Sequence, residues 1–569
     1  MLATLLIWIY AALLSFSYGL GCVLLLRKAF HLEEDQFPSY SLISITGLVV
    51  ITTLAGFLSL LIKLGLTANL VLVLGGAVIF GLARPWLPGL FRESYYRIKA
   101  CSPLVWLLCA ALGLFALAKT TLPPQNYDTG LYHAQAIRWI ETYRVVPGLG
   151  NLADRLAFNS AWFLPSALFS FSFLGLRSFH VLDGFIFLLA TLIFLGRSGR
   201  LLKGEFALSS VISLALIYLS WRLFGLELSS PGTDLPSAML TWVVYLLALE
   251  KIETEAAARF DLSSTLIVLI STFAVTLKLS AAPVLLLPLF FIVRERMARQ
   301  AGALPAALGI STLVVLPWLA RNIILSGYLV YPFAAIDLFH VDWKIPMMYV
   351  ARQANTIRAW ARLPHQDTQV VLHMPLTRWV PEWWRAQQAI SRQMLAGVGL
   401  GSCAWLVLSL AGSLRPGKMS AAVRRYAIPY LVGWAGITYW FVSAPDIRFI
   451  YGFLAILLCL LAAPLVLWLL VRLRRFAIPL IAAAFLLLLL YQVYGVYQMR
   501  SQIRWRFPAD YPAAEVASYP LGQFDTNTPA TGNQCWYAPL PCTPTPNPDL
   551  RMRGASLQEG FYYKILTQP

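Results

Sequence analysis

Apolar runs long enough to cross a lipid bilayer recur along almost the whole chain, and no other feature restricts its fold so tightly. In hydrocarbon every backbone N–H and C=O must find a partner within its own helix or a closed barrel, so repeated runs of about 20 apolar residues read as spanning helices. The 569 residues are 59% hydrophobic and 12% charged, with a mean hydropathy of +0.68. That balance is too apolar for a soluble domain. The expected fold is an all-α polytopic membrane protein: a bundle of roughly 12–14 transmembrane helices, interfacial helices in two large outer loops, and a small C-terminal tail.

The first run, residues 2–26, is longer than a signal-peptide core and has neither a basic stretch ahead of it nor a small-residue cleavage site before Arg27-Lys28, so it reads as a retained helix. Short basic turns at 84–99, 197–203, 294–299, 415–425 and 472–475 fall on one side if the spans alternate, which marks that side as cytoplasmic. The turn 250–261, mostly acidic, is an exception of little weight in this rule. Outer loops near 119–176 and 321–395 and the tail then share the other side. Three segments follow: N-terminal helices over 1–100, a membrane module over 101–495, and an extracytoplasmic tail over 496–569. The net charge of +18 is scattered over turns and one long loop, without a groove-like basic stripe, which argues against nucleic acid and for membrane lipid as the partner of those charges. The expected location is a bacterial inner or cell membrane, with the site on the extracytoplasmic face.

Residues 161–176 are apolar but short, and a stronger span follows at once; we place them as an interfacial or re-entrant segment. Cys22, Cys101, Cys109, Cys403 and Cys459 lie in or beside apolar runs, where a thiol behaves as a small hydrophobe. Cys535 and Cys542 are the pair in the Pro- and Asn-rich tail, and an oxidising compartment would join them in a disulfide. No Walker-type loop, dinucleotide fingerprint or HExxH helix is present.

Ionisable residues at the outer helix ends carry the functional reading. In Asn126-Tyr127-Asp128-Thr129-Gly130-Leu131-Tyr132-His133, Asp128 opens a segment in which Ile137, Ile140 and Tyr143 recur at helical spacing. A helix cap would account for Asp128 alone. Asp234 follows Pro231-Gly232, Lys278 lies between two short apolar runs, Arg321-Asn322 ends a span, and Asp446 with Arg448 occupies Pro445-Asp446-Ile447-Arg448-Phe449. Each has a bland explanation: a turn residue for Asp234, snorkelling for Lys278, a local ion pair for Asp446 and Arg448. Together, five outer turns present charge to one aqueous face, a site with a carboxylate for proton abstraction and several cations for a phosphate. The loop after Arg321 adds Tyr328, Tyr331 and five tryptophans, Trp343, Trp360, Trp379, Trp383 and Trp384, as interfacial anchors or as sugar-stacking rings.

Over residues 100–470 these features resemble the glycosyltransferase C (GT-C) superfamily of polytopic enzymes that use polyprenyl-phosphate sugars. The resemblance implies Asp128 as catalytic base, Asp234 as a second acidic site residue, and Lys278, Arg321 and Arg448 as ligands of the lipid-linked phosphate. Tyr127, His133, Asn322, Tyr331 and Asp446 complete the implied substrate contacts. About three spans ahead of the first outer loop, and the absence of a carboxylate adjacent to Asp128, depart from the family pattern. The latter weakens the case for a bound metal; no cofactor is predicted, and a divalent metal stays open.

Implied partners are a polyprenyl-phosphate-linked sugar and a glycan, lipid or protein acceptor. With one base and no second carboxylate as nucleophile, transfer would invert the anomeric carbon. A lipid-linked oligosaccharide polymerase or ligase, and a lipid or solute transporter, would also concentrate charge in outer loops or a polar cavity.

Overall fold

The computed structural model describes residues 1–29, 37–175, 177–254, 261–297, 303–414, 425–521 and 524–564. Much of the expected 415–425 turn, residues 298 and 299, and the stretch 255–260 of the acidic turn lie outside the described residues. The chain is mostly helical, and by length and composition eight described helices can cross a membrane, or nine if the bent pair Leu66–Leu82 and Arg84–Lys99 forms one span. Shorter apolar helices, among them Leu208–Phe224 and Leu262–Leu277, fill the spaces between them. The protein is thus an all-helical polytopic membrane protein in its main body.

The helix Leu2–Ala29 packs along Tyr40–Leu61 at two glycines: a Cβ on Gly19 would lie 1.8 Å from the Ile43 carbonyl oxygen, and one on Gly47 1.6 Å from that of Ser15. Backbones that approach this closely gain dispersion contacts that lipid cannot replace. Tyr40–Leu61 in turn packs against Leu182–Ser198 and Ala303–Ser326, which ties the N-terminal helices to the rest of the bundle. Asp234–Glu253 is buried almost along its whole length and forms the bundle's centre.

The turn 250–261 loses its character as an exception once its partners are seen. Glu250 accepts ion pairs at 2.7 Å from both Arg197 and Arg200, and Lys251 pairs with Asp261 at 2.9 Å. The described part of the acidic turn therefore meets the basic turn 197–203 at one end of the bundle. Asp234 heads the same helix that carries Glu250 near its tail, so about 24 Å of helix separates the two at 1.5 Å per residue.

At the Asp234 end, residues 161–175 are too short to span: they form a six-residue helix, Phe163–Leu168, and a single turn, Ser172–Leu174. Trp162, Phe163 and Leu164 are buried there. The second outer loop holds three helices, Met347–Arg362, Thr368–His373 and Leu376–Ala386. The tail adds two antiparallel pairs, Val516–Pro520 with Asp525–Pro529 and Leu550–Met552 with Phe561–Tyr563, and the Cys535–Cys542 disulfide. Its second pair joins the outer loops, since the Phe561 amide donates to the Pro147 carbonyl (3.0 Å) and Asn151 Nδ2 donates to the carbonyls of both Trp343 (2.8 Å) and Phe561 (3.2 Å).

Candidate functional site

Capping does not occupy Asp128, because Asn126 does that work. Asn126 Oδ1 accepts the Asp128 amide at 2.8 Å and the Asn126 carbonyl accepts the Thr129 amide at 3.1 Å, while the Asp128 carboxylate makes no cap hydrogen bond. The next residues, Thr129–His133, form a π-helical turn before the regular helix Ala134–Thr142. Such turns widen a helix by one residue and recur at functional sites. With its backbone held by Asn126, Asp128 directs its carboxylate to Arg448 Nη1 at 3.3 Å, and about a quarter of the side chain stays exposed.

Arg448 is positioned by the turn that precedes it. Asp446 Oδ1 caps the Arg448 amide at 3.0 Å, and Asp446 Oδ2 accepts from Arg448 Nη2 at 3.1 Å. Two tryptophans fix that turn from both sides: Trp440 Nε1 donates to the Asp446 carbonyl (2.7 Å) and Trp383 Nε1 to the Pro445 carbonyl (2.8 Å). Trp379 and Trp383 are buried rather than displayed as interfacial anchors, so the second outer loop buttresses the arginine. Trp360 and Trp384 remain exposed.

Lys278 stands at a break between Leu262–Leu277 and the turn Leu279–Leu285, in extended backbone. Its ammonium pairs with Asp234 and lies 3.8 Å from the centroid of the Phe449 ring, the same ring that Arg448 approaches at 5.7 Å. Phe449 thus separates and supports the two cations. His133 completes the group: burial pulls its pKa down to about 4, with the charges of Asp128 and Asp234 opposing that fall and those of Lys278 and Arg448 adding to it. At neutral pH the imidazole is uncharged, with its ring 4.4 Å from Tyr132 and 5.3 Å from Phe163 and its Nδ1 without a hydrogen-bond partner among the described residues.

Two carboxylates that the sequence does not single out complete the surroundings. Glu227 Oε2 accepts from Asn126 Nδ2 at 2.6 Å; desolvation, helped by the Asp234 charge, pushes its pKa up to about 7. Asp183, in the first turn of Leu182–Ser198, is buried and accepts from Trp162 Nε1 at 2.7 Å. Gly232 is where they meet, since a Cβ there would lie 3.1 Å from Glu227 Oε2 and 3.8 Å from Asp183 Oδ2. The available signal was an acid beside the start of a span in His180-Val181-Leu182-Asp183, costly in lipid unless engaged.

Asp128, His133, Asp234, Lys278, Asp446 and Arg448 therefore come together. Arg321, Asn322 and Tyr331 are placed elsewhere. Arg321 is buried, donating to Asn159 Oδ1 (3.1 Å) and Ser59 Oγ (2.8 Å), and lines a cavity whose other lining residues include none of that group. Asn322 and Tyr331 are also buried, and among the described residues the Asn322 Nδ2 and the Tyr331 hydroxyl have no hydrogen-bond partner. Tyr127 is bound by the tail: its hydroxyl donates to Asn533 Oδ1, and Gln534 Nε2 donates to its carbonyl at 2.8 Å. The Trp536 amide donates to the Gly130 carbonyl at 2.8 Å, inside the π-turn, where a Cβ on Gly130 would stand 2.6 Å from the indole. Among the described residues no three His, Cys, Asp or Glu side chains are arranged to hold a metal ion.

A family model described as a domain of unknown function (DUF8201) matches residues 1–455, and the chain belongs to that family. No curated protein and no solved structure matches it.

Proposed function

We propose that this member of the DUF8201 family is an inverting membrane glycosyltransferase of the GT-C type, moving a sugar from a polyprenyl-phosphate donor to an acceptor at the extracytoplasmic face. The observation that carries this reading is the Asp128–Arg448 pair: an uncapped, partly exposed carboxylate held by a guanidinium, next to a second cation, Lys278. The donor phosphate competes with Asp128 for Arg448 and with Asp234 for Lys278. Its binding draws Arg448 off Asp128, and the freed carboxylate becomes the stronger base.

The acceptor hydroxyl then gives its proton to Asp128 as its oxygen bonds to C1 of the sugar. The C1–O bond to the phosphate breaks, its electron pair passing to the phosphate oxygen, where Lys278 and Arg448 meet the developing charge. His133, uncharged and buried against Tyr132 and Phe163, contributes shape rather than charge. Across polyprenyl-phosphate sugars and acceptors tested with purified protein, Asp128→Asn should cut turnover by about a hundredfold or more and keep donor binding. Turnover left near the wild-type rate by the substitution, or a wild-type protein that transfers none of these sugars, would end the reading.

Carboxylates outnumber cations in this group, which favours a second reading, transport of a lipid or solute through a charged path. Wild-type protein in liposomes that moves labelled lipid without forming a glycoside would favour it.

A further inference from the structure

Arg321 poses a problem that the transferase reading leaves unsolved. The residue is 3% exposed, yet its hydrogen-bond partners, Asn159 and Ser59, are neutral, and no carboxylate lies within ion-pair reach among the described residues. Taking a guanidinium out of water without a counter-charge is expensive even when its N–H groups are hydrogen-bonded. Both partners are already committed: Ser59 Oγ donates to the Gly56 carbonyl at 2.7 Å, and Asn159 Nδ2 to the Trp318 carbonyl at 2.8 Å.

The same arginine lines a cleft between the helix Ala134–Thr142 and the end of Ala303–Ser326 that is partly open to solvent and encloses about 20 Å³, room for one or two waters. Arg144, exposed and in no ion pair among the described residues, lines it too. Trp139 supplies a wall and has a buried indole N–H without a hydrogen-bond partner among the described residues. No Asp or Glu is among the lining residues; Phe158, Phe163 and aliphatic side chains make up most of the rest.

We infer that this cavity is a phosphate-binding site, distinct from the Asp128 group, that takes the phosphate of an anionic lipid or free inorganic phosphate. Each guanidinium can offer a pair of N–H donors to two oxygens of a tetrahedral phosphate, a match that chloride does not provide, and donors without acceptor carboxylates select an anion over a cation. The site stands on Arg321 and Arg144 alone, so it does not depend on the transferase reading.

Hydrogen exchange over residues 144–163, the cavity wall, tests it locally. The full chain would be compared in phosphate against chloride at equal ionic strength, and in phosphatidylcholine nanodiscs with and without phosphatidic acid. Slower exchange in either comparison supports the site and identifies the source. The apparent affinity should fall about tenfold or more in Arg321→Gln, the effect of one charge-assisted hydrogen bond. Arg144→Gln, at an exposed position that should leave folding intact, should weaken it several-fold with an unchanged melting temperature. No slowing in wild type with either probe, or slowing that persists in Arg144→Gln and Arg321→Gln, overturns the inference. Lys278→Gln should leave this segment's response unaltered while weakening donor binding at the Asp128 group, so the two proposals fail separately.

Discussion

Two charged groups lie toward opposite ends of the outer-loop segment that runs from Asp128 to Arg144, and they solve the burial of charge in opposite ways. At its start, Arg448 and Lys278 are matched by carboxylates of this chain, Asp128, Asp446 and Asp234. Toward its far end, Arg321 is surrounded by neutral donors and acceptors. The difference teaches what each would exchange. An internally matched cation binds an anion by trading one carboxylate for another, which also releases a base; an unmatched one gains a counter-charge it lacks.

The sharpest way to break this comparison is at Asp128. Asp128→Asn keeps the shape and removes the base, so sugar transfer should fall by about 10²–10⁴, measured as turnover at saturating donor.

Next in size is a pair of isosteric changes. Arg448→Met leaves Asp128 and Asp446 without their cation and should destabilise by about 2 kcal/mol, less than a fully buried pair because over a third of Arg448 is exposed. Arg321→Met strands no carboxylate and should leave the melting temperature equal or higher. Equal losses in thermal unfolding would erase the distinction.

Gly130→Ala should act through the tail. Its Cβ would press into Trp536 and free the Gly130 carbonyl, so limited proteolysis of residues 533–542 should accelerate and transfer should fall by about tenfold, the equivalent of one strained or lost backbone hydrogen bond. Cys535→Ser, which opens the disulfide loop, should give the same proteolysis pattern.

The smallest effect concerns pH. Folding raises the Glu227 pKa from 4.5 to about 7. Between those values the native state holds a proton that the unfolded chain has lost, so this group's contribution to stability falls as pH rises through the window. Above about 7 the ionised Glu227 adds negative charge near Asp234, and donor KM should rise a few-fold. Glu227→Gln should flatten both trends; an identical pH profile in the variant would remove Glu227 from the site.

Much of this arrangement is legible in the sequence and some is not. Helices and the charged outer turns are local properties: an apolar run satisfies its own backbone, and a polar residue at its end marks a boundary. The packing of Asp128 beside Arg448, 320 positions away, is not local, nor is the choice of Asn126 over Asp128 as the cap. Asp183 and Glu227 escaped notice because a single acid near a span's end has no periodicity to reveal it. Arg321 looked equivalent to Lys278 and Arg448, since each is one cation at a helix end.

By itself the sequence determined a membrane protein with charge gathered at one set of helix ends, because hydrocarbon tolerates nothing but apolar, self-satisfied segments. Which charges pair with one another, which face neutral partners, and how the tail grips the π-turn were decided by tertiary packing. Coulombic pairing depends on distances of a few ångströms between helices, and these are set by close glycine contacts between helices and by buried rings that hold the turns carrying the charges.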